Sequence, residues 1–207
     1  MDKEELMNML DKAGAVQYGH FLLSSGMHSD TYVQCALLLR YPEYAERVGK
    51  ALYLLFSNII FDLVVSPALG GIIIGYEVAR SAHKPFIFTE RNEKGEMMLR
   101  RGFTIESGMK ALIIEDVITT GRSTREVKRV VEDHRGIVVG YGSIIDRSGN
   151  TWGNITPEKK ESDTMSSIEL RSLLRMDLNL YVPSECPLCA KSIPLKKPGS
   201  RKITKHN

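Results

Sequence analysis

The sequence predicts an α/β fold: a mainly parallel sheet flanked by helices. Two observations lead there. Apolar runs, "DLVVSP" (62–67), "PFIFTE" (85–90), "KALIIED" (110–116) and "GIVVGYGSIID" (136–146), are continuous rather than alternating in polarity, as in strands buried on both faces. The stretches "GGIIIGYEVARSA" (70–82) and "RSTREVKRVVEDH" (122–134) lie between such runs and carry the helical period, which is the βαβ pattern of a parallel sheet.

The first element, "KEELMNMLDKA" (3–13), places Leu6, Met7 and Leu10 at helical spacing and stops at Gly14, a glycine C-cap. "HFLLSSGMHSDTYVQC" (20–35) has short apolar groups broken by Ser, Gly and Asp, as in a hairpin. After Pro42, "EYAERVGKALYLLFSN" (43–58) returns to the 3.6 period through Tyr44, Val48, Leu52 and Leu55 and reads as a helix. The charged segment "ERNEKGEMMLRRGF" (90–103) lacks the periodicity of a helix and is expected to be a loop or hairpin. Residues 148–165 read as a polar surface excursion, and the basic, Pro/Gly-interrupted tail 191–207 as poorly ordered at its end.

At 207 residues the chain reads as one domain, 1–207, with 184–207 forming a tail that carries Cys186 and Cys189. A net charge of +3 set against 28 basic and 25 acidic residues gives no global field that calls for nucleic acid or an anionic membrane. Three cysteines are too few for a disulfide scaffold, and no apolar stretch approaches the roughly 20 residues that span a bilayer. The expectation is a cytoplasmic protein without membrane or nucleic-acid partners.

In parallel sheets, ligands gather at the C-terminal ends of the strands. Three ends matter here: "SPALGG" (66–71), "EDVITTGRST" (115–124) and "DRSG" (146–149). At the exit of a strand Glu115 and Asp116 are both expected to face an open cleft, where carboxylates accept hydrogen bonds from vicinal hydroxyls and favour developing positive charge. The hydroxyls and backbone N–H groups of 119–124 open a helix, which is a phosphate cradle by geometry and dipole. Either half alone has a bland explanation, an acidic strand end or a Thr/Ser cap; together they describe a site for a phosphorylated sugar.

"LIIEDVITTGRST" (112–124) closely resembles the phosphoribosyl-diphosphate (PRPP) motif of type I phosphoribosyltransferases. The wider chain resembles the orotate phosphoribosyltransferase family. "HFLLSSGMHSDTYV" is similar to its N-terminal segment, "SPALGGIIIGYEVA" to its diphosphate loop, and "SIIDRSG" to the segment that carries its orotate-binding arginine. Further matches, "EYAERVGKAL", "IFTER", "LRRGF" and "ECPLC", extend the resemblance over nearly the whole chain and point to a thermophile-type subgroup.

The resemblance implies the five-stranded core and a hood reaching to Arg40. It also assigns roles. Glu115, Asp116, Val117, Ile118, Thr119, Thr120, Gly121, Arg122 and Ser123, with Ala68, Leu69 and Gly70, would bind PRPP. Thr119, Arg147, Tyr32 and Val33 would bind orotate; Arg147 offers a planar charged fork suited to a carboxylate, where its plain reading is a surface partner for Asp146. A charged loop is usually only a solvated one, but in this family a mobile basic loop closes over the diphosphate. Arg91 is then the first candidate catalytic cation and Lys94 the second, with Arg100 and Arg101 also available. Asp116 completes the catalytic set.

Two departures stand against the wider family, which often has lysines where this chain has Ser24 and Gly70. Loop 90–103, Mg²⁺ and the backbone of "ALGG" are expected to compensate. Cys186 and Cys189 resemble half a zinc knuckle with no second pair in view. A site shared between two subunits and a disulfide remain open beside the plain expectation of structural thiols, and no protein metal ligand is assigned.

The reaction implied is transfer of the phosphoribosyl group from PRPP to orotate, giving orotidine 5'-monophosphate and diphosphate in UMP synthesis. Mg²⁺ would be held mainly by the substrate, and a homodimer would let loop 90–103 serve the neighbouring site. The alternatives are a phosphoribosyltransferase for another base, or a PRPP- or nucleotide-sensing transcriptional regulator on the same fold. For the regulator, the segment before Gly14 is too short and acidic to supply a DNA-reading helix pair.

Overall fold

A computed structural model describes residues 1–23, 25–149 and 168–198 of the chain. Helix α1 (Lys3–Lys12) starts at Asp2, whose carboxylate accepts from the Glu5 N–H at 2.8 Å, and ends just before Gly14 at φ +67°. Strands β1 (Val16–Leu22) and β2 (His28–Val33) form the expected antiparallel hairpin. A short α2 (Cys35–Leu39) leads to α3 (Pro42–Leu54), which has Pro42 in its first turn, where a missing N–H costs nothing.

The alternation then runs β3 (Leu63–Pro67), α4 (Gly71–Ala82), β4 (Phe86–Arg91), β5 (Met97–Leu99), β6 (Lys110–Ile118), α5 (Arg122–Asp133) and β7 (Ile137–Asp146). Beyond the undescribed residues 150–167 come β8 (Leu170–Arg175), β9 (Leu180–Tyr181) and one turn of α6 (Pro187–Ala190). The surface excursion expected at 148–165 thus lies almost wholly outside the described residues, as does the end of the tail from 199 onward.

The main sheet has the order β5-β4-β3-β6-β7-β8. Five strands are parallel, as the resemblance implies, and β5 adds a sixth, antiparallel to β4. Segment 90–103 is therefore a hairpin that continues β4. Strand β8 escapes the apolar-run criterion because it is an edge: only Leu174 is buried, and Arg171 reaches across to the Leu55 carbonyl and to Asn58 Oδ1 at 2.7 Å.

The pleat divides the core in two. Val64, Leu112 and Ile114 pack with α1, α2, α3 and α4, while Leu63, Val65, Ala111 and Ile113 pack with Val127 and Val131 of α5. Not all of segment 1–40 stands over the sheet. Leu6, Leu10 and Leu38 are fully buried in the first of these clusters, and only the β1–β2 hairpin forms a separate sheet, completed by β9 from the far end of the chain. No helix among the described residues is long and apolar enough to cross a membrane.

Helices α3 and α4 approach each other at Gly49. A Cβ built there would lie 2.4 Å from Glu77 Cβ and 2.9 Å from its carbonyl carbon. Two effects compete in Gly49→Ala: about 0.5–1 kcal/mol of helix propensity gained, and about 1–3 kcal/mol lost to overpacking against backbone. The second is larger, so a urea melt of the variant should show a lower midpoint than the parent. A higher midpoint would mean that the two helices separate freely.

Candidate active site

The strand order reverses between β3 and β6: from β3 the chain steps outward to β4, and from β6 it steps the other way to β7 and β8. Helix α4 leaves on one face and α5 on the other, so a crevice opens above the C-terminal ends of β3 and β6. Its two lips are residues 67–71 and 115–124. The first contains a cis peptide bond between Ala68 and Leu69 and exposes Leu69 and Gly70. A Cβ on Gly70 would lie 2.7 and 2.8 Å from the two carboxylate oxygens of Asp116, so the lips touch only because residue 70 is glycine.

Strand β6 does not end at the acid pair. It continues to Ile118, with Glu115 opposite Ser143 and Val117 opposite Ile145. The expectation that both carboxylates face one open cleft is corrected by this register, because successive residues of a continuing strand point to opposite faces. Glu115 turns toward α5, where its Oε2 accepts from the Thr124 hydroxyl at 2.7 Å. Asp116 turns toward Gly70, Tyr32 and Cys35. Burial raises its carboxyl above the ordinary range, against the opposing pull of the Val117 and Asp116 backbone N–H groups. Burial also pushes the Cys35 thiol well up, and the Asp116 charge adds to it.

The α5 end of the lip has the geometry of an anion cradle. Gly121, at φ +66° and ψ 14°, caps the helix in the left-handed region and, as a glycine, brings no side chain to its first turn. The first-turn N–H groups stand at the positive end of a 12-residue helix, the end that favours an anion. Thr119 and Thr120 are exposed on the approach, and Arg125 Nη1 fastens the Thr120 carbonyl at 3.1 Å.

Arg147 continues from β7 beside this lip, its N–H donating to the Ile118 carbonyl at 2.8 Å. The plain reading that pairs it with Asp146 fails: Asp146 Oδ1 is occupied by the Ser148 N–H at 2.8 Å and the Ser148 hydroxyl at 2.6 Å. The buried Nε of Arg147 has no hydrogen-bond partner among the described residues. Burial lowers the pKa of its guanidinium, with Tyr32 acting the other way, but an arginine stays charged through such a shift. Tyr32 bridges the hood and the strand ends. Its phenol is raised first by burial and then by Asp116, is lowered by Arg147, and donates to Gln34 Oε1 at 2.9 Å. Val33 beside it is buried. Asp116, Tyr32 and Arg147 thus come together from three distant parts of the sequence.

The two loop candidates separate. Arg91 is engaged by Glu126 of α5, which also accepts from Arg122 Nε at 3.0 Å, and its Nη1 reaches the Gly95 carbonyl at 2.5 Å. Arg101 is held in a two-pronged pair by Glu90 at 2.6 and 2.8 Å, above the Phe88 ring. Lys94, at the exposed tip of the hairpin, and Arg100 make no ion pair among the described residues. Ser24 lies outside the described residues. Cys35 and Glu126 take part in this end of the sheet without having been singled out as site residues from sequence. Thr124 belongs to the 119–124 hydroxyls read from sequence, but its bond goes to Glu115.

The phosphoribosyl transferase domain family matches residues 37–165. An orotate phosphoribosyltransferase from a Thermoanaerobacter species is 46% identical over 203 residues, spanning 98% of this chain and 100% of the relative. One from Thermotoga petrophila is 45% identical, spanning 95% and 98%. Among solved structures, the orotate phosphoribosyltransferase of Aeropyrum pernix superposes with a TM-score of 0.67 at 23% identity, covering 83% of this chain and 93% of that one. That of Mycobacterium tuberculosis in complex with inorganic phosphate gives 0.63 at 22% identity, covering 83% and 94%. With full-length relatives at this identity and the same sheet beneath the crevice, the chain belongs to the orotate phosphoribosyltransferase family, within the phosphoribosyltransferases.

Proposed function

We propose that the chain transfers the 5-phosphoribosyl group of PRPP to N1 of orotate, releasing diphosphate and forming orotidine 5'-monophosphate for UMP synthesis. One observation carries the acceptor: a guanidinium at the strand ends, Arg147, with its Nε buried and unpartnered among the described residues, beside Tyr32 and within one crevice of Asp116. The names of the relatives support the same substrate pair.

In this proposal the 5-phosphate sits on the first turn of α5, between the Thr119–Ser123 hydroxyls and amides, and the diphosphate lies against the Ala68–Gly70 backbone. Asp116 accepts from the ribose hydroxyls, and Glu115 contributes from the other face with its carboxylate oriented by Thr124. Orotate lies between Arg147, Thr119 and the Tyr32–Val33 backbone. The bond from ribose C1 to the diphosphate oxygen breaks with its electron pair leaving on diphosphate, the N1–C1 bond forms as N1 gives up its proton to water, and the positive charge that builds on the sugar is offset by the Asp116 carboxylate.

Oxygen donors here fit Mg²⁺ carried by its substrate. The two acids diverge and build no cage, and Asp116 is the carboxylate that borders the crevice. When bound, the ion would neutralise diphosphate oxygens and help the leaving group depart. The protein is proposed to work in the cytoplasm as a homodimer in which the hairpin 90–103 serves the neighbouring site. Lys94 at its tip becomes the better first candidate for the catalytic cation, because Arg91 must leave Glu126 before it can act.

A coupled assay with PRPP, Mg²⁺ and orotate tests the reaction; turnover of a purine base or uracil with orotate untouched would leave only the donor half standing. Arg147→Ala should raise the orotate KM on the order of 10- to 100-fold while the PRPP KM changes little, since it removes a charge-assisted bond of about 1.5–3 kcal/mol. Equal effects on both substrates would remove Arg147 from orotate recognition. Lys94→Ala should lower kcat on the order of 100-fold without raising the orotate KM. An effect of that size from Arg91→Ala alone would return the role to Arg91.

Asp116→Asn should cost on the order of 100- to 1,000-fold in kcat and yet melt higher than the parent at pH 7. The sign follows from linkage. The folded-state pKa of this carboxyl is raised, so its ionised form destabilises the fold above that pKa and the penalty vanishes below the unfolded value of about 3.9. Thermal melts from pH 7 toward pH 4 should therefore show the advantage of the variant shrinking; an advantage that is flat with pH would contradict the burial of this charge.

A further inference from the structure

We propose that His20, His28, Cys186 and Cys189 form a closed, four-coordinate zinc site that fastens the β1–β2 hairpin to the C-terminal segment. The four ligand atoms lie within 4.8 Å of one another, and His20, His28 and Cys186 are buried. This pair of histidines is the missing half of the knuckle that the sequence shows only at Cys186 and Cys189.

The distances match a tetrahedron closely enough to name the ion. His20 Nε2 lies 3.5 Å from Cys186 Sγ and 3.7 Å from Cys189 Sγ, and Cys189 Sγ lies 3.4 Å from His28 Nδ1. Zinc bonds of about 2.0–2.1 Å to nitrogen and about 2.3 Å to sulfur require N···S separations of roughly 3.5–3.6 Å. The one pair that must open is His20 Nε2 to His28 Nδ1, at 2.8 Å, a hydrogen bond that would lengthen by about 0.5 Å once both nitrogens point at a cation.

The surroundings already orient a ligand. His20 Nδ1 lies 2.8 Å from the Ile193 carbonyl, and donation to it leaves the Nε2 lone pair facing the cluster, the outer-shell arrangement that metal-bound histidines use. All three cysteines are free, so no disulfide competes for Cys186 and Cys189. Two thiolates and two imidazoles without a carboxylate suit zinc and not the hard Mg²⁺ of the reaction. Four protein ligands leave no position open for a reactive water, which makes the role structural.

What the site would hold is visible in the backbone. Lys196 N–H donates to the His20 carbonyl and Leu22 N–H to the Lys196 carbonyl, both at 2.8 Å. Asp30 accepts from Asn179 Nδ2 at 2.8 Å and from the Tyr181 hydroxyl at 3.2 Å. These few polar contacts, in a sheet whose β9 is two residues long, bury little apolar surface, whereas a four-ligand ion ties both chain segments at one point.

Protein purified without chelators from zinc-supplemented medium should contain about one zinc per chain by mass spectrometry of the metals. The Cys186→Ser, Cys189→Ser double variant should contain almost none and melt several degrees lower. Should that variant fail to fold, wild-type protein stripped and reloaded with Co²⁺ gives the answer: thiolate-to-cobalt charge transfer together with the visible bands of tetrahedral cobalt is the expected spectrum. Metal-free wild-type protein that takes up no zinc in a competition titration would overturn the proposal. So would zinc retained in full by the double variant, or a cobalt spectrum without the thiolate band. None of these readouts depends on phosphoribosyl transfer.

Discussion

Everything at the working end of the sheet depends on where the Asp116 carboxylate is held. The reversal of strand order puts β6 beside β3, and the pleat of β6 sends Asp116 to the α4 face. There it meets the Gly70 backbone from one lip of the crevice and Tyr32 and Cys35 from the hood. A partly buried carboxylate with no ion pair among the described residues is costly to the fold, and its raised pKa expresses that cost. Stability alone would favour an apolar residue at this position. A charge kept there is pre-set for a ligand that brings hydroxyl donors or positive charge.

The same pleat separates two acids that are adjacent in sequence. Glu115 is one residue from Asp116 but lies on the α5 side, bonded to Thr124 in the first turn of the helix. Its carboxylate steadies the lip that leads into α5, while Asp116 borders the crevice. In the proposed reaction the helix end then serves the phosphate and Asp116 the ribose, with the second acid turned away from both.

The alternation of strand and helix was legible in sequence because strands buried on both faces cannot hide their apolar runs. The start of α5 was legible from its glycine and hydroxyls, while their reading as a phosphate cradle rested on the acid pair just before them. What escaped was of two kinds. Strands β8 and β9 are short or lie at an edge, half-buried and charged, so no run marks them. Pairings between distant segments, Tyr32 with Asp116 and Arg147, or His20 and His28 with the cysteines, depend on how the hood folds over the sheet. No local period encodes that. The divergence of Glu115 from Asp116 was hidden for a smaller reason: it turned on whether β6 ends at residue 116 or 118.

Glycine at position 70 and the cations of the hairpin belong to one problem. With this backbone, a side chain at 70 and the Asp116 carboxylate compete for one space, since a Cβ would fall 2.7 Å from Oδ1. A lysine there would have to displace the acid that the proposed chemistry needs. In the proposed reaction positive charge for the diphosphate must then come from elsewhere, and the β4–β5 hairpin carries four cations. Two of them are neutralised in place, Arg91 on Glu126 and Arg101 on Glu90. That leaves the hairpin anchored at its base by ion pairs, with Lys94 carried on a tip that Gly95, at φ +81°, lets turn tightly. In the proposed homodimer an anchored base with a charged tip can deliver a cation to the neighbouring site when the anion arrives, without a standing charge in the crevice that would pair with the carboxylate kept for the sugar.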